Sequence, residues 1–347
     1  MGKENLFGKT KKELQEILVE LGLPKFNGSQ IAEWMYKNNA RSLDDMHNIS
    51  NKAKTLLKEK YDLERQEPGT VQASVDGTKK YLFQVRGGQF IEAAFIPDDN
   101  RATLCVSSQV GCKMGCLFCM TGKQGFQANL STGEILNQIY SLPEFDELTN
   151  VVYMGMGEPF DNLNQVLKSI EILTADYGMG WSPRRITVST IGLIPAMKTF
   201  LEQSEAHLAI SLHSPFEEER KKIMPVENVY NLPKLLEEVK AFDFGGQRRV
   251  SFEYIMFKDF NDQKAHVDQL ARILNGIKCR INLIRFHPIP GTPLLGSDDE
   301  TIFQFQADLK KKGIMTTLRA SRGQDIFAAC GLLSTKELIK RKEEEDF

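Results

Sequence analysis

Three closely spaced cysteines are the residues of this chain best suited to chemistry. Cys112, Cys116 and Cys119 form a Cys-x3-Cys-x2-Cys run in the segment GCKMGCLFC. Three thiolates fill three corners of a cubane 4Fe-4S cluster and leave the fourth iron open for a substrate or cofactor. Structural zinc normally takes four protein ligands, and the remaining cysteines form no second tight pair that would complete such a site. The spacing therefore favours a catalytic iron–sulfur cluster.

The overall composition indicates a globular protein and limits where RNA could bind. The chain has 347 residues, of which 41% are hydrophobic and 26% are charged, with a net charge of -2. It contains no apolar run long enough to cross a bilayer, and its charged N-terminus lacks the apolar stretch of a signal peptide. Free cysteines suit a reducing compartment. We therefore expect a cytoplasmic protein without a membrane partner, in which any RNA site is local.

Hydrophobic periodicity divides the chain into four predicted parts. Residues 1–66 show helical spacing, as at Leu14, Ile17, Leu18 and Leu21, and are predicted to form a helical accessory domain. Its lysines, Lys52, Lys54, Lys58 and Lys60, make it a candidate for binding RNA if they converge. Residues 67–98 contain two β-rich runs around Gly87-Gly88, which predicts a hairpin and a small β extension. Residues 99–320 alternate between strand and helix patterns, and residues 321–347 form a C-terminal segment.

The alternating part predicts an α/β fold, a partial (β/α)6 barrel. The six predicted strands are Thr103 to Ser107, Asn150 to Met154, Arg185 to Ser189, His207 to Ser211, Val250 to Ile255 and Arg280 to Phe286. In such folds ligands bind at the carboxyl ends of the parallel strands. The cysteine run leaves the first strand at that end.

The cysteine run, with Phe118 before its last cysteine, resembles the radical S-adenosylmethionine (SAM) superfamily. The resemblance implies a 4Fe-4S cluster on Cys112, Cys116 and Cys119 and SAM as the molecule that the open iron binds. One βα unit later, the segment GMGEP resembles the GGEP motif of that superfamily. Gly157 is expected to let backbone carbonyls approach SAM closely, and Glu158 to accept from its ammonium group.

Residues at two further strand ends are candidates for the same cofactor. Ser189 ends one predicted strand, and Ser211, Leu212 and His213 end the next. Their polar groups are expected to bond ribose and carboxylate oxygens of SAM.

Motifs along the whole chain narrow the resemblance to the dual-specificity RNA methyltransferases of the RlmN type, with the similar Cfr type. The motifs are ATLCVSSQVGCKMGCLFC, GMGEP, SPRRITVSTIG, LAISLHSP and RGQDIFAACG. The resemblance implies methylation of adenosine at carbon 2 in 23S ribosomal RNA and in transfer RNA. It implies that Cys330 carries the methyl group, that Cys105 resolves the RNA–protein crosslink through a disulfide, and that Glu92 takes a proton. A flavodoxin-like electron donor and a disulfide reductant are the further expected partners.

Three residues fit this pattern less simply. By its strand position alone, Glu92 is predicted to be exposed. Cys279 matches no cysteine of the family and is predicted to be a structural, partly buried thiol. His287 stands in RFHPIPG where the family usually has asparagine at a SAM contact, so its different shape and charge are expected to alter SAM affinity.

Three alternatives remain open on the sequence. The first is the Cfr-type product, methylation at carbon 8 with the same two cysteines. The second is a radical SAM enzyme that acts on a peptide or small molecule, with Cys330 merely structural. The third is a nonenzymatic iron–sulfur or zinc module that binds RNA.

Overall fold

The computed structural model describes residues 3–245 and 249–334. The predicted C-terminal segment 321–347 is therefore described as far as Ser334, and its remainder lies outside the described residues. No helix in the described ranges is long and apolar enough to cross a membrane.

The secondary structure consists of α-helices and strands, numbered in chain order. The helices are α1 (Lys11–Glu20), α2 (Phe26–Tyr36), α3 (Asn51–Lys60), α4 (Met120–Gln124), α5 (Thr132–Tyr140), α6 (Leu163–Thr174), α7 (Ile194–Gln203), α8 (Glu217–Ile223), α9 (Leu232–Ala241), α10 (Lys264–Ile273) and α11 (Asp299–Lys311). The strands are β1 (Glu4–Asn5), β2 (Tyr61–Asp62), β3 (Thr70–Ala73), β4 (Lys79–Gln84), β5 (Phe90–Asp98), β6 (Arg101–Cys105), β7 (Gln109–Val110), β8 (Ala128–Asn129), β9 (Asn150–Tyr153), β10 (Ile186–Thr190), β11 (His207–Ser211), β12 (Val250–Met256), β13 (Cys279–Arg285) and β14 (Met315–Leu318).

One sheet of ten strands organises the molecule, in the order β14-β13-β12-β11-β10-β9-β6-β5-β4-β3. Strands β6 and β9 to β14 are parallel, and β3 to β6 are antiparallel neighbours. The six strands predicted for the barrel are confirmed within a few residues at each end. The prediction missed β14, a seventh parallel strand, because it has only four residues and begins with the exposed Met315.

The predicted β extension continues this sheet. The hairpin between β4 and β5 turns at Gly87 and Gly88, whose φ angles of 77° and 75° are left-handed and favour glycine. Strand β5 then pairs with β6, the first parallel strand. Cys279 opens β13 and packs, partly buried, against the core, as predicted for a structural thiol.

The N-terminal helices form as their apolar spacing predicts. Helix α1 begins at a capping box, in which Thr10 accepts from the backbone of Glu13 and Glu13 accepts from that of Thr10. Leu14 and Leu18 bury its inner face. Helix α3 ends at Lys60, because Tyr61 begins β2 and pairs with β1.

The two edges of the main sheet, β14 and β3, are connected by the last described part of the chain. Residues 319–334, here called the C-terminal strap, leave β14 and reach the turn between β3 and β4. There Gly323 donates its backbone N–H to Asp76 at 2.9 Å, and Ser74 donates its hydroxyl to Asp325 at 2.5 Å. The strap therefore links parts of the chain that are about 250 residues apart in sequence.

A second set of contacts fixes the far end of the strap. Met120 donates its N–H to the carbonyl of Gly331 at 2.8 Å, and Thr121 donates its hydroxyl to the carbonyl of Leu333 at 2.7 Å. Cys330 lies between the two anchored ends, next to the helix that follows the cysteine run.

Candidate active site

The predicted cluster ligands surround a cavity at the carboxyl ends of the parallel strands. Cys112, Cys116 and Cys119 line this cavity, here called the cluster cavity, whose volume is about 150 Å³. No group of three or more His, Cys, Asp or Glu residues in the described ranges is placed to hold a metal ion. The thiols instead line the cavity wall, which fits a polynuclear cluster because each thiolate then binds a different iron.

The shape of the cysteine loop depends on a glycine at its start. Gly111 has a φ of +71°, and a Cβ there would lie 1.7 Å from the carbonyl oxygen of Gly125. Only glycine allows the two segments to approach this closely. The close approach holds the run beneath the helix that carries Met120.

Cys112 and Cys116 are held where burial makes their thiolate forms unfavourable unless a cation lies beside them. Burial raises the pKa of Cys112 to about 12, and Cys119 contributes as a second negative charge. Burial also raises the pKa of Cys116 well above its usual value, with Cys119 and Cys112 adding to the effect. Metal ions reverse this effect, since a bound thiol is deprotonated outright. The chemistry of the donor set therefore fits the iron–sulfur cluster.

Glu158 lies in the wall of the cluster cavity with its carboxylate already bonded to the protein. It accepts from the hydroxyl of Thr190 at 2.7 Å and from the N–H groups of Ile191 at 2.9 Å and Phe160 at 3.1 Å. Burial raises the pKa of Glu158 to about 7, although these three donors oppose the rise. Ionisation of this buried carboxylate is unfavourable, and a cationic ligand beside it would stabilise the ionised form.

Gly157 lines the same cavity, and a contact inside the protein also requires a glycine at this position. Its φ is +98°, and a Cβ would lie 2.5 Å from the Cβ of Gln109. The glycine therefore makes room for Gln109, whose side chain accepts from the N–H of Glu158 at 2.9 Å. It orients Glu158 through a protein neighbour.

The strand-end residues lie in the cluster cavity with one exception. Ser189, Ser211 and His213 line it. Leu212 is fully buried in the core, its N–H bonds the carbonyl of Glu253, and it is not among the lining residues. The chain leaves the extended conformation at His213, whose φ is +55°, and the contact of Leu212 with SAM stays a prediction.

His213 is fixed in one tautomer. Its Nδ1 accepts from the N–H of Ile255 at 3.1 Å, so Nε2 carries the proton. Burial, with a smaller effect of Arg220, lowers the pKa of His213 to about 3. The imidazole is therefore a neutral hydrogen-bond donor near neutral pH.

Arg220 braces the strand ends that carry these residues and was missed by the sequence reasoning. It is fully buried, pairs with Glu227, and donates to the carbonyls of Ile191, Ser211 and Leu212. In the sequence it stands in EEERKK, a pattern typical of a solvated helix face, so the sequence gives no local signal for its burial.

A second cavity of about 340 Å³, here called the thiol cavity, adjoins the first. Cys105 and His287 line it, and Cys330 lines both cavities. Burial raises the pKa of Cys105 to about 12, and the neighbouring Cys330 adds to the rise. His287 bonds the hydroxyl of Ser321 at 3.0 Å, and burial with a smaller effect of Arg285 lowers its pKa. His287 does not line the cluster cavity, but Cys119 lines the thiol cavity together with it.

Arg319 is the second functional residue that the sequence reasoning missed. It lines both cavities and forms an ion pair with Glu253 at 3.3 Å. The thiolate of Cys330 is the largest influence that raises the pKa of Arg319, with Glu253 and the Cys105 thiolate adding to it against burial. Recognising the missed strand β14 would have identified Arg319, because it directly follows that strand.

Glu92 is buried, and the exposure expected from its strand position is therefore wrong. Its side chain has no exposed area and forms an ion pair with Lys80 at 3.0 Å. It also accepts from the N–H of Ser334, the last described residue of the strap, at 3.0 Å. Ala94 pairs with Cys105 in the sheet, so Glu92, two residues away, shares the face of Cys105. It lines neither cavity but contacts the strap near Cys330.

Comparison with known proteins is consistent with this geometry. Residues 106–271 match the family model of the radical SAM superfamily, and residues 4–63 match that of the ribosomal RNA large subunit methyltransferase N-terminal domain. The chain is 55% identical to a probable dual-specificity RNA methyltransferase RlmN of Bacteroides fragilis, over 96% of this chain and 97% of that protein. It is 56% identical to one of Porphyromonas gingivalis, over 97% and 99%.

A solved structure resembles the whole fold. The crystal structure of a radical SAM methyltransferase from Sphaerobacter thermophilus matches with a TM-score of 0.88 and 37% identity, and the match covers 95% of this chain and 99% of that one.

Proposed function

Because the chain belongs to the RlmN-type radical SAM RNA methyltransferases, we propose that it methylates carbon 2 of adenosine. The proposed substrates are 23S ribosomal RNA at the peptidyl transferase centre and transfer RNA next to the anticodon. The observation that carries the proposal is the position of Cys330, which borders both the cluster cavity and the thiol cavity. A side chain in this position can accept a group in one cavity and transfer it in the other.

Radical SAM enzymes use a 4Fe-4S cluster and SAM. We assign the cluster to Cys112, Cys116 and Cys119, and the contacts to SAM to Gly157, Glu158, Ser189, Ser211, Leu212 and His213. One SAM would supply the methyl group and leave as S-adenosylhomocysteine, and a second SAM, given one electron by the cluster, would supply the adenosyl radical and leave methionine. Replacing His287 with asparagine tests its predicted SAM contact, and an unchanged SAM affinity would remove it from the site.

We assign the proposed chemical steps to three side chains. The thiolate of Cys330 takes the methyl group, and after loss of one hydrogen atom the methylene radical adds to carbon 2 of the adenine; the adduct would then give one electron back to the cluster. Glu92 takes the proton from carbon 2, a role supported by its contact with the strap. The thiolate of Cys105 then attacks the sulfur of Cys330, which forms a disulfide and releases the base, whose methylene carbon gains a proton to become the methyl group. An external reductant must restore both thiols.

Arg319 supports the reactivity of both thiols. Only the thiolate form of cysteine is nucleophilic, and a neighbouring guanidinium stabilises that form. Since Arg319 interacts with both Cys330 and Cys105, its charge favours whichever thiol must react.

Anaerobic turnover with SAM, a reductant and unmodified 23S RNA tests the proposal. Nucleoside mass spectrometry should detect 2-methyladenosine with the wild type and with Cys279→Ala, a control thiol outside both cavities. Cys330→Ala should give no product, and Cys105→Ala should stall as an RNA–protein crosslink. RNA methylation by Cys330→Ala would refute the methylcysteine route, and 8-methyladenosine as the sole product would indicate the carbon-8 enzyme.

We also propose the division into residues 1–66, 67–98, 99–320 and 321–347, with RNA binding by the first part. Lys58 is paired there with Asp44 at 2.6 Å, but both side chains are largely exposed, so RNA can compete for the lysine. Removing Lys52, Lys54 and Lys58 together should weaken RNA binding and flatten its salt dependence. Unchanged binding would contradict this assignment.

A further inference from the structure

Three arginines and one carboxylate line the thiol cavity. The cations are Arg101, Arg319 and Arg322, and the carboxylate is Asp98. Arg101 begins β6, Arg322 belongs to the C-terminal strap, and Asp98 ends β5. Parts of the chain that are distant in sequence thus bring positive charge to the cavity that holds both reactive thiols.

The positive charge in this cavity is only partly balanced. Arg319 is already paired with the buried Glu253. Arg322 lies 3.5 Å from Asp98, but the Asp98 side chain is 64% exposed, and such pairs contribute little. Arg101 has no ion pair within the described ranges. The opposite charge that acts on its pKa is Asp98, and the positive charge of Arg319 acts against it. One exposed carboxylate therefore faces two arginines.

We propose that Arg101 and Arg322 bind a phosphodiester of the RNA next to the nucleotide that enters the thiol cavity. This inference rests on the proposed function. An adenine reaches Cys330 only if it leaves its stack, and the phosphates on either side of it must then follow to the cavity mouth. Guanidinium groups match phosphate oxygens in two-point hydrogen bonds. Asp98 holds Arg322 in place until the phosphate replaces it.

The test compares Arg101→Gln and Arg322→Gln with Arg272→Gln, a matched change at an exposed arginine on α10. The probe is an unmodified transfer RNA anticodon stem–loop whose target adenosine is unpaired, and binding is followed by fluorescence anisotropy at several salt concentrations. Each of the first two variants should bind roughly tenfold more weakly, with the slope of log K against log salt reduced by about 0.7–0.9. Arg272→Gln should behave as wild type.

Neutral methylphosphonate linkages on either side of the target adenosine locate the contact. One of the two should weaken binding to the wild type but cause little further loss with the arginine variants, because the same contact is already absent. If neither linkage couples to either arginine, the phosphate site is wrong.

The alternative ligand and the underlying function have their own readouts. A loss of SAM affinity in the reconstituted variants, with RNA binding intact, would assign the arginines to the SAM carboxylate and overturn the proposal. If the wild type methylates RNA and both variants bind it normally, only the phosphate site fails. If the wild type neither binds nor methylates RNA, the proposed function fails as well.

Discussion

Glu158 makes the stability of the protein depend on pH in a way that one substitution isolates. Burial raises its pKa from the ordinary value of 4.5 to about 7. Between these values the folded protein holds a proton on Glu158 that the unfolded chain has lost. Stability therefore falls as pH rises through this window. Glutamine at this position cannot ionise, so Glu158→Gln removes the dependence.

The size of the effect follows from the two pKa values. A shift of one unit corresponds to about 1.4 kcal/mol, and integration of both titration curves from pH 5 to pH 8 gives about 2.5 kcal/mol. The substitution also changes the hydrogen bonds with Thr190 and Ile191, but to a first approximation that cost is the same at every pH. The stability of wild type relative to Glu158→Gln should thus fall by about 2.5 kcal/mol over this range.

Urea unfolding of the cluster-free protein under anaerobic, reducing conditions measures this difference at pH 5, 6, 7 and 8. Glu202→Gln, at an exposed position near the end of α7, controls for the general loss of a carboxylate. A difference between wild type and Glu158→Gln that stays constant within about 0.5 kcal/mol, or that changes in the opposite direction, would refute the reasoning. It would mean that the three hydrogen bonds to Glu158 outweigh its burial.

Three further substitutions test other parts of the site. Gly111→Ala should lower the iron bound on reconstitution, because its Cβ would clash with Gly125. Gly87→Ala, at a left-handed position with open space around the added Cβ, should cost only about 1–2 kcal/mol and keep its iron; equal iron contents of the two variants would contradict this. Arg220→Met should lower the free energy of unfolding in urea by about 3–5 kcal/mol, since it leaves the buried carboxylate of Glu227 without its partner. A decrease below about 1 kcal/mol would show that the pair is dispensable. Arg319→Gln should slow methyl transfer to Cys330 by about tenfold or more, whereas Arg319→Lys should stay closer to wild type. Mass spectrometry of the strap peptide in a single turnover measures this rate, and equal rates for the two variants would argue against a role of the charge.

The sequence predicted best what depends on local pattern. Alternating apolar runs identified six strands, and the spacing of Cys112, Cys116 and Cys119 identified the cavity that they line. Residues whose roles depend on distant partners were missed or misread. Glu92 is buried, pairs with Lys80 and contacts the strap, and no neighbour in the sequence predicts these contacts.

The same distinction explains the arginines and Gly157. Arg220 lies in a charged helix, and its burial follows from carbonyls on two other strands. Arg319 lies in the site because it follows β14, a four-residue strand that pairs with β13. Gly157 was correctly placed in the cavity wall, but the reason for a glycine there, the packing of Gln109, depends on another loop.

The C-terminal strap also determines when the site can exist during synthesis. Ser74 and Asp76 leave the ribosome about 250 residues before their partners in the strap, and domains otherwise tend to fold in chain order. Until the strap is synthesised, Glu92 lacks its contact with Ser334, and the part of the cavity wall that carries Cys330 is missing. The cluster loop can therefore form well before the methyl carrier, and a nascent chain that acquires its iron early is still unable to act on RNA.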